Sequence, residues 1–275
     1  MSKPIVNLAI VMYNIVLHKT KEVKSVGTVI AVASGKGGTG KSSFCANVAV
    51  ALCARGEKVL LIDTDAGLRS LDLILGMTNR VLFSYADVIE GNASLKDAAV
   101  KHETVKNLRL LTAPASTRVF EREQIEALVQ RAREHFTYTI IDCPAGMSDN
   151  VIDFCACADR AVVVSTPDHT SLRGGQKMGI LMGEQGQRNV KIAVNRVRSS
   201  MINRGEAVNI DAAMDQAGLG LLGIVPEDKG IIACGNGGKL LAFEKKSPAW
   251  QAYFNIAGRI KGEKIRLLDA VPGRF

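Results

Sequence analysis

At 275 residues with 47% apolar, 23% charged and 5% aromatic side chains, the chain can bury one large α/β core or two small ones. No apolar run reaches the ~20 residues needed to span a bilayer, and the composition excludes a largely disordered protein. The net charge of +8 sits at the two ends. Residues 1–24 carry four lysines against Glu22, and residues 239–275 carry eight Lys/Arg against Glu244, Glu263 and Asp269, which leaves the body neutral. A uniformly basic nucleic-acid domain is therefore not indicated. Basic ends on a neutral body fit solvated tails, or contacts with an anionic membrane surface. The six cysteines, Cys45, Cys53, Cys143, Cys155, Cys157 and Cys234, form no CxxC pair. They read as buried free thiols of a reducing compartment, and as poor ligands for zinc or an iron–sulfur cluster.

In chain order, residues 1–25 read as an extension that is disordered, weakly membrane-contacting, or the product of an early start codon. As a helix it would place Asn7, Asn14 and Lys21 on one line opposite an apolar face. From Val26 onward, apolar β-rich runs alternate with helical patterns. The predicted strands are Val26–Ser34, Lys58–Asp63, Leu108–Thr112, Thr137–Asp142, Ala161–Ser165, Val190–Asn195 and Leu221–Val225. The predicted helices include Lys41–Arg55, Arg122–His135, Ser171–Glu184, Ile210–Ala217 and Ala249–Ile260. The expected fold is α/β: a single doubly wound, mostly parallel sheet flanked by helices, spanning residues 26–268, with a tail at 269–275.

Gly35-Lys36-Gly37-Gly38-Thr39-Gly40-Lys41-Ser42 matches G-x-x-x-x-G-K-[ST] between a predicted strand and a predicted helix, the context a phosphate-binding loop requires. Glycines let backbone N–H groups turn inward around phosphate oxygens, and the helix N-terminus adds unpaired donors. Lys41 supplies charge to the β- and γ-phosphates, the Ser42 hydroxyl reaches Mg²⁺, and Ser43 lies in the same first turn. The ligand expected is ATP with Mg²⁺, in a P-loop NTPase fold.

In an open parallel sheet the ligand lies beyond the carboxyl ends of the strands. Two predicted strands end there in Asp63-Thr64-Asp65 and in Asp142-Cys143-Pro144-Ala145-Gly146. Asp142 reads as the aspartate that holds Mg²⁺ through water, Asp63 as part of the outer metal shell, and Asp65 as the group that positions the attacking water. Gly146 is expected to approach the γ-phosphate. The plainer alternative for strand-end aspartates is a turn or helix cap.

The loop sequence KGGTGKS resembles the deviant Walker A motif of the MinD/ParA family of ATPases. Further similarity lies in DTDAGLRSLDLILG at Asp63–Gly76, in IIDCPAGMSDNV, STPDHTSLRG, AVNRVR and LLGIVPED, and in the helix QAYFNIAGRIKGEK. Together these cover about residues 27 to 266 and favour the septum-positioning MinD branch over ParA-type or flagellar-placement (FlhG-like) relatives acting on DNA or a protein array. The resemblance implies a cytoplasmic ATPase that forms a homodimer on ATP and associates reversibly with the inner face of the cell membrane. It also implies a division inhibitor of the MinC type and a MinE-type regulator as partners. It implies that Lys36 reaches across the dimer to the partner's ATP, and that Asn195 and Pro226 border the adenine. Ser70 stands where the family usually has Asn, and Cys234–Lys239 departs from its usual pattern. At the tail, Pro272-Gly273 breaks the amphipathic helix that the family uses on membranes, so IRLLDAVPGRF reads as a terminal strand or loose end.

Overall fold

The computed structural model describes residues 26–78, 80–244 and 246–267. The expectations for the extension at 1–25 and for the tail at 269–275 lie outside them. The chain enters through β1 (Thr28–Ser34), α1 (Lys41–Ala54) and β2 (Val59–Asp63). Short helices follow at α2 (Ser70–Ile74), α3 (Tyr85–Ile89) and α4 (Leu95–Ala98), then β3 (Val100–Lys101) and β4 (Leu108–Leu111). Next come α5 (Arg122–His135), β5 (Tyr138–Ala145), α6 (Asp149–Cys157), β6 (Arg160–Ser165), α7 (His169–Glu184) and β7 (Val190–Val197). The last part holds α8 (Ser199–Asn203), α9 (Ile210–Ala217), β8 (Gly220–Pro226), α10 (Lys229–Asn236), a 3-10 turn at Leu241–Phe243 and α11 (Pro248–Ile260).

Among the described residues, the strands form one eight-stranded sheet in the order β3-β4-β2-β5-β1-β6-β7-β8. All neighbours are parallel except β3, which pairs antiparallel with β4 at the edge. Strand alternation explains the two buried faces. Ile30, Val32, Val59 and Leu61 point to one face, where α1 and α11 supply Phe44, Leu52, Tyr253 and Ile256. Val29, Ala31, Ala33, Leu60 and Ile62 point to the other, against α5, α6 and α7. Each buried Val, Leu, Ile or Phe among them contributes roughly 1.5–3 kcal/mol, which is why these runs carry no polar alternation.

This is the doubly wound architecture read from the sequence, with strand limits moved by a few residues. β5 is the larger shift: it continues to Ala145, where the sequence suggests a strand that ends at Asp142. α6 and the edge strand β3 are not evident in the sequence. The edge strand holds only two residues, too few to show a period. Winding away from β1 in both directions puts a crevice at its carboxyl end, between β5 and β6, and the loop after β1 opens into it.

Candidate functional site

The loop Gly35–Gly40 links β1 to α1 and depends on glycine at specific points. Gly38 and Gly40 have φ of 80° and 87°, a left-handed conformation costly to any residue with a Cβ. Gly40 is also crowded: a Cβ there would lie 2.4 Å from Asn195 Nδ2. A Cβ on Gly35 would lie 2.3 Å from the backbone of Gly174 in α7, so loop and helix meet main chain to main chain. Gly35→Ala is therefore expected to push α7 away and destabilise the fold by about 1–3 kcal/mol. In a domain of this size each kcal/mol lowers Tm by about 2–4 °C, and an unchanged melting temperature would contradict the close approach. No side chain caps the N-terminus of α1, so its first N–H groups are left to an anion.

Asp63 and Asp142 stand opposite each other in the β2–β5 register, both fully buried. Lys41 Nζ donates to Asp142 Oδ1 at 2.7 Å, with the two side chains 7% and 0% exposed. Burial opposes the Lys41 charge, but the Asp142 carboxylate outweighs it and raises the pKa above its ordinary value. A raised lysine pKa stabilises the fold at every pH below its unfolded value and is lost only as pH climbs through the folded one. Lys41 is therefore a fixed cation at neutral pH. The Cys45 thiol donates to the same Oδ1 at 3.4 Å. Burial and Asp142 push the Asp63 carboxyl up to about 7. Its two oxygens accept from the N–H groups of Asp65 (2.9 Å) and Leu71 (3.2 Å), which fixes the segment that carries Asp65.

Asp142 Oδ2 is buried without a hydrogen-bond partner among the described residues. A cation with its water shell suits such an orphaned acceptor. The half-buried Ser42 hydroxyl at the start of α1 is a second protein oxygen beside the loop. Mg²⁺ retains waters and takes few protein ligands, and no group of three or more His, Cys, Asp or Glu able to cage a metal occurs among the described residues. The residues present fit Mg²⁺ held with a nucleotide.

Asp65 lies just beyond β2, half-buried, and its Oδ1 accepts from Gly67 N–H at 3.1 Å and Leu68 N–H at 3.3 Å. It thus serves as a turn cap, the plainer of its two roles, while Oδ2 enters none of these bonds. Gly146 takes φ of 105° and donates its N–H to Ser34 O at 3.1 Å, which ties the end of β5 to the phosphate loop. Lys36 points to α7, 3.5 Å from the N-cap residue Asp168, with both side chains about half exposed. Sequence reasoning misses Asp168, Cys45 and Gly174. The segment STPDHTSLRG contains two of the three, but nothing in it names their partners.

Asn195 near the end of β7 and Pro226 at the end of β8 lie side by side in one cavity wall. Asn195 Nδ2 donates to Thr39 O at 2.8 Å, locking the loop, and Asn195 Oδ1 is buried and unpartnered among the described residues. Both residues line a cavity of about 340 Å³ beside Gly40 and Ser43, with Tyr253 and Arg196 in its wall. Arg196 adopts φ of 56°, a strained conformation for a non-glycine residue, where β7 shifts register against β8. Through Gly40 and Ser43 the cavity is continuous with the phosphate loop.

The family model ParA, described as an NUBPL iron-transfer P-loop NTPase, matches residues 25–261. The septum site-determining protein MinD of Bacillus subtilis is 37% identical over 246 residues, covering 88% of this chain and 92% of the relative. MinD of Synechocystis is 36% identical over 244 residues, covering 88% and 92%. Among solved structures, the MinC:MinD cell division protein complex of Aquifex aeolicus superposes with a TM-score of 0.83 at 34% identity, covering 88% of this chain and 98% of the other. MinD of Pyrococcus horikoshii, complexed with Mg-ADP, gives 0.75 at 26% identity, covering 87% and 100%. With the loop, the paired strand-end aspartates and these likenesses in hand, the chain belongs to the MinD/ParA family of P-loop NTPases.

Proposed function

We propose that this chain is a MinD-type ATPase switch that positions the division septum. The observation that carries the reading is the buried Lys41–Asp142 pair at the mouth of the phosphate loop, continuous with the cavity at Asn195 and Pro226. ATP binds with its phosphates in the backbone cradle of Gly35, Gly37, Gly38, Thr39 and Gly40, and Lys41 turns from Asp142 to the β- and γ-oxygens. Ser42 and Asp142 hold Mg²⁺, with Asp63 behind them, and the ion neutralises charge on the phosphates when bound. Ser43, Asn195 and Pro226 take the sugar and adenine side. Asp65 orients the attacking water.

Lys36 completes the site in trans. Its weak, half-exposed pairing with Asp168 can be exchanged for a partner subunit's phosphate, because surface ion pairs contribute only about 0–1 kcal/mol. ATP would then stabilise a homodimer, and dimerisation would switch on hydrolysis. Lys36→Ala is expected to leave monomer nucleotide binding intact and to lower dimer-dependent turnover by about 10²-fold. Loss of binding by the monomer would overturn the cross-subunit role.

The ATP-bound dimer works at the inner face of the cell membrane, on anionic lipid, with a division inhibitor of the MinC type and a MinE-type regulator. The MinC:MinD complex of Aquifex aeolicus supports the first of these partners. No helix among the described residues is long and apolar enough to cross a membrane. Sedimentation with anionic liposomes tests this reading: the chain should pellet with ATP and stay in the supernatant with ADP. Retention on DNA that falls steeply with salt, with no liposome binding, would instead assign a ParA-like role.

A further inference from the structure

A second built site lies at the other end of the sheet, where β6, β7 and β8 begin. A cavity of about 220 Å³ opens there between Arg160, Lys191 and Arg259, over the apolar side chains of Ile30, Leu222 and Ile260. Three cations line it and, among the described residues, no carboxylate does. The acids nearest in sequence to this end are engaged elsewhere: Glu263 with Arg55, Glu57 with Lys261, and Asp159 with Arg133.

Backbone carbonyls aim the two guanidinium groups. Arg160 Nη1 donates to Ile260 O at 2.6 Å, while Arg259 donates from Nε to Ile265 O at 3.0 Å and from Nη1 to Leu222 O at 3.0 Å. These bonds leave donors over. Arg259 Nη2 is buried and has no hydrogen-bond partner among the described residues. Burial also lowers the Arg259 pKa, a sign that its charge is held partly out of water without full compensation. An anion in the cavity would offset part of that cost through its charge. Arginine presents a planar fork that matches two oxygens of a phosphate, and lysine adds a point charge.

We propose that the Arg160–Lys191–Arg259 cavity binds a phosphate group carried on a short glycerol-like stem. Three cationic residues lining one cavity, with no carboxylate in its described lining, suit a phosphate better than a single carboxylate. The volume exceeds that of a bare phosphate and places apolar wall beside the stem. The same chemistry is offered by a soluble glycerol phosphate and by the headgroup of phosphatidylglycerol.

The test is calorimetric titration of the full chain with glycerol 3-phosphate, with Mg-ADP present in excess to fill the phosphate loop. Wild type should bind, and Lys191→Glu and Arg259→Gln should each weaken binding at least tenfold. Lys191 is exposed and makes none of the hydrogen bonds above, so Lys191→Glu should fold normally even if Arg259→Gln does not. No binding by wild type, or equal affinity in Lys191→Glu, overturns the site. The assignment rests on the difference between variants, so failure of nucleotide binding would sink the ATPase reading and leave this comparison intact. The source is decided by vesicles of one part phosphatidylglycerol to three of phosphatidylcholine. Vesicle binding abolished in Lys191→Glu identifies the lipid headgroup, and vesicle binding unchanged beside weakened glycerol phosphate binding identifies the soluble ester.

Discussion

Lys41→Ala is expected to weaken ATP binding by about 10²–10³-fold, measured by calorimetry with Mg²⁺ present. The reason is the setting of the charge. Lys41 sits nine-tenths out of solvent where the glycine cradle meets Asp142, so its attraction to phosphate is little screened. Removing a charged hydrogen-bond donor from such a site costs roughly 3–4 kcal/mol, and 1.4 kcal/mol corresponds to tenfold. The same substitution bears on the fold without ligand. It leaves the Asp142 carboxylate buried at 0% exposure with, among the described residues, only the Cys45 thiol as a side-chain donor, and removing one partner of a buried pair costs about 3–5 kcal/mol. The variant should therefore melt earlier as well as bind weakly. Lys41→Ala/Asp142→Asn, which removes the stranded charge, should recover much of the stability and none of the affinity. Affinity within tenfold of wild type in Lys41→Ala would refute the assignment of this lysine to the phosphates.

The contrast between the two lysines of the loop shows where sequence stops being informative. Lys41 was legible because strand, glycines, lysine, hydroxyl and helix lie in one contiguous stretch with one known chemistry. The central strands were legible for a related reason: their continuous apolar runs follow from a sheet covered on both faces. Lys36 resembles a family lysine, yet its resting contact, Asp168, arrives from the N-cap of α7, which follows β6 in the chain. No spacing rule reports such a meeting. The same holds for Gly35 against Gly174, and for Arg160, Lys191 and Arg259, which three separate elements bring to one cavity. Local pattern encodes elements and contiguous motifs. Contacts made by packing must be read from the fold.

Asp65 is the residue whose two readings differ most in outcome, and a pair of variants separates them. As a turn cap, its Oδ1 satisfies the N–H groups of Gly67 and Leu68. As the group that orients water, its charge and free oxygen matter. Asp65→Asn keeps an acceptor for the turn and removes the charge, whereas Asp65→Ala removes both. If Asp65 positions water, both variants should bind ATP with near-normal affinity, because neither touches Lys41 or the glycine amides. Both should lose turnover by about 10²–10⁴-fold, the range for a displaced general base or water-orienting group. ATP would then persist, and light scattering after size exclusion should show an accumulated dimer with ATP and a monomer with ADP. Only Asp65→Ala should also lose stability, by about 0.5–2 kcal/mol, as capping groups do. If the residue is a cap and nothing more, Asp65→Asn will hydrolyse ATP near the wild-type rate. That single result would move the catalytic water to another group and leave Asp65 as the fastening of the turn after β2.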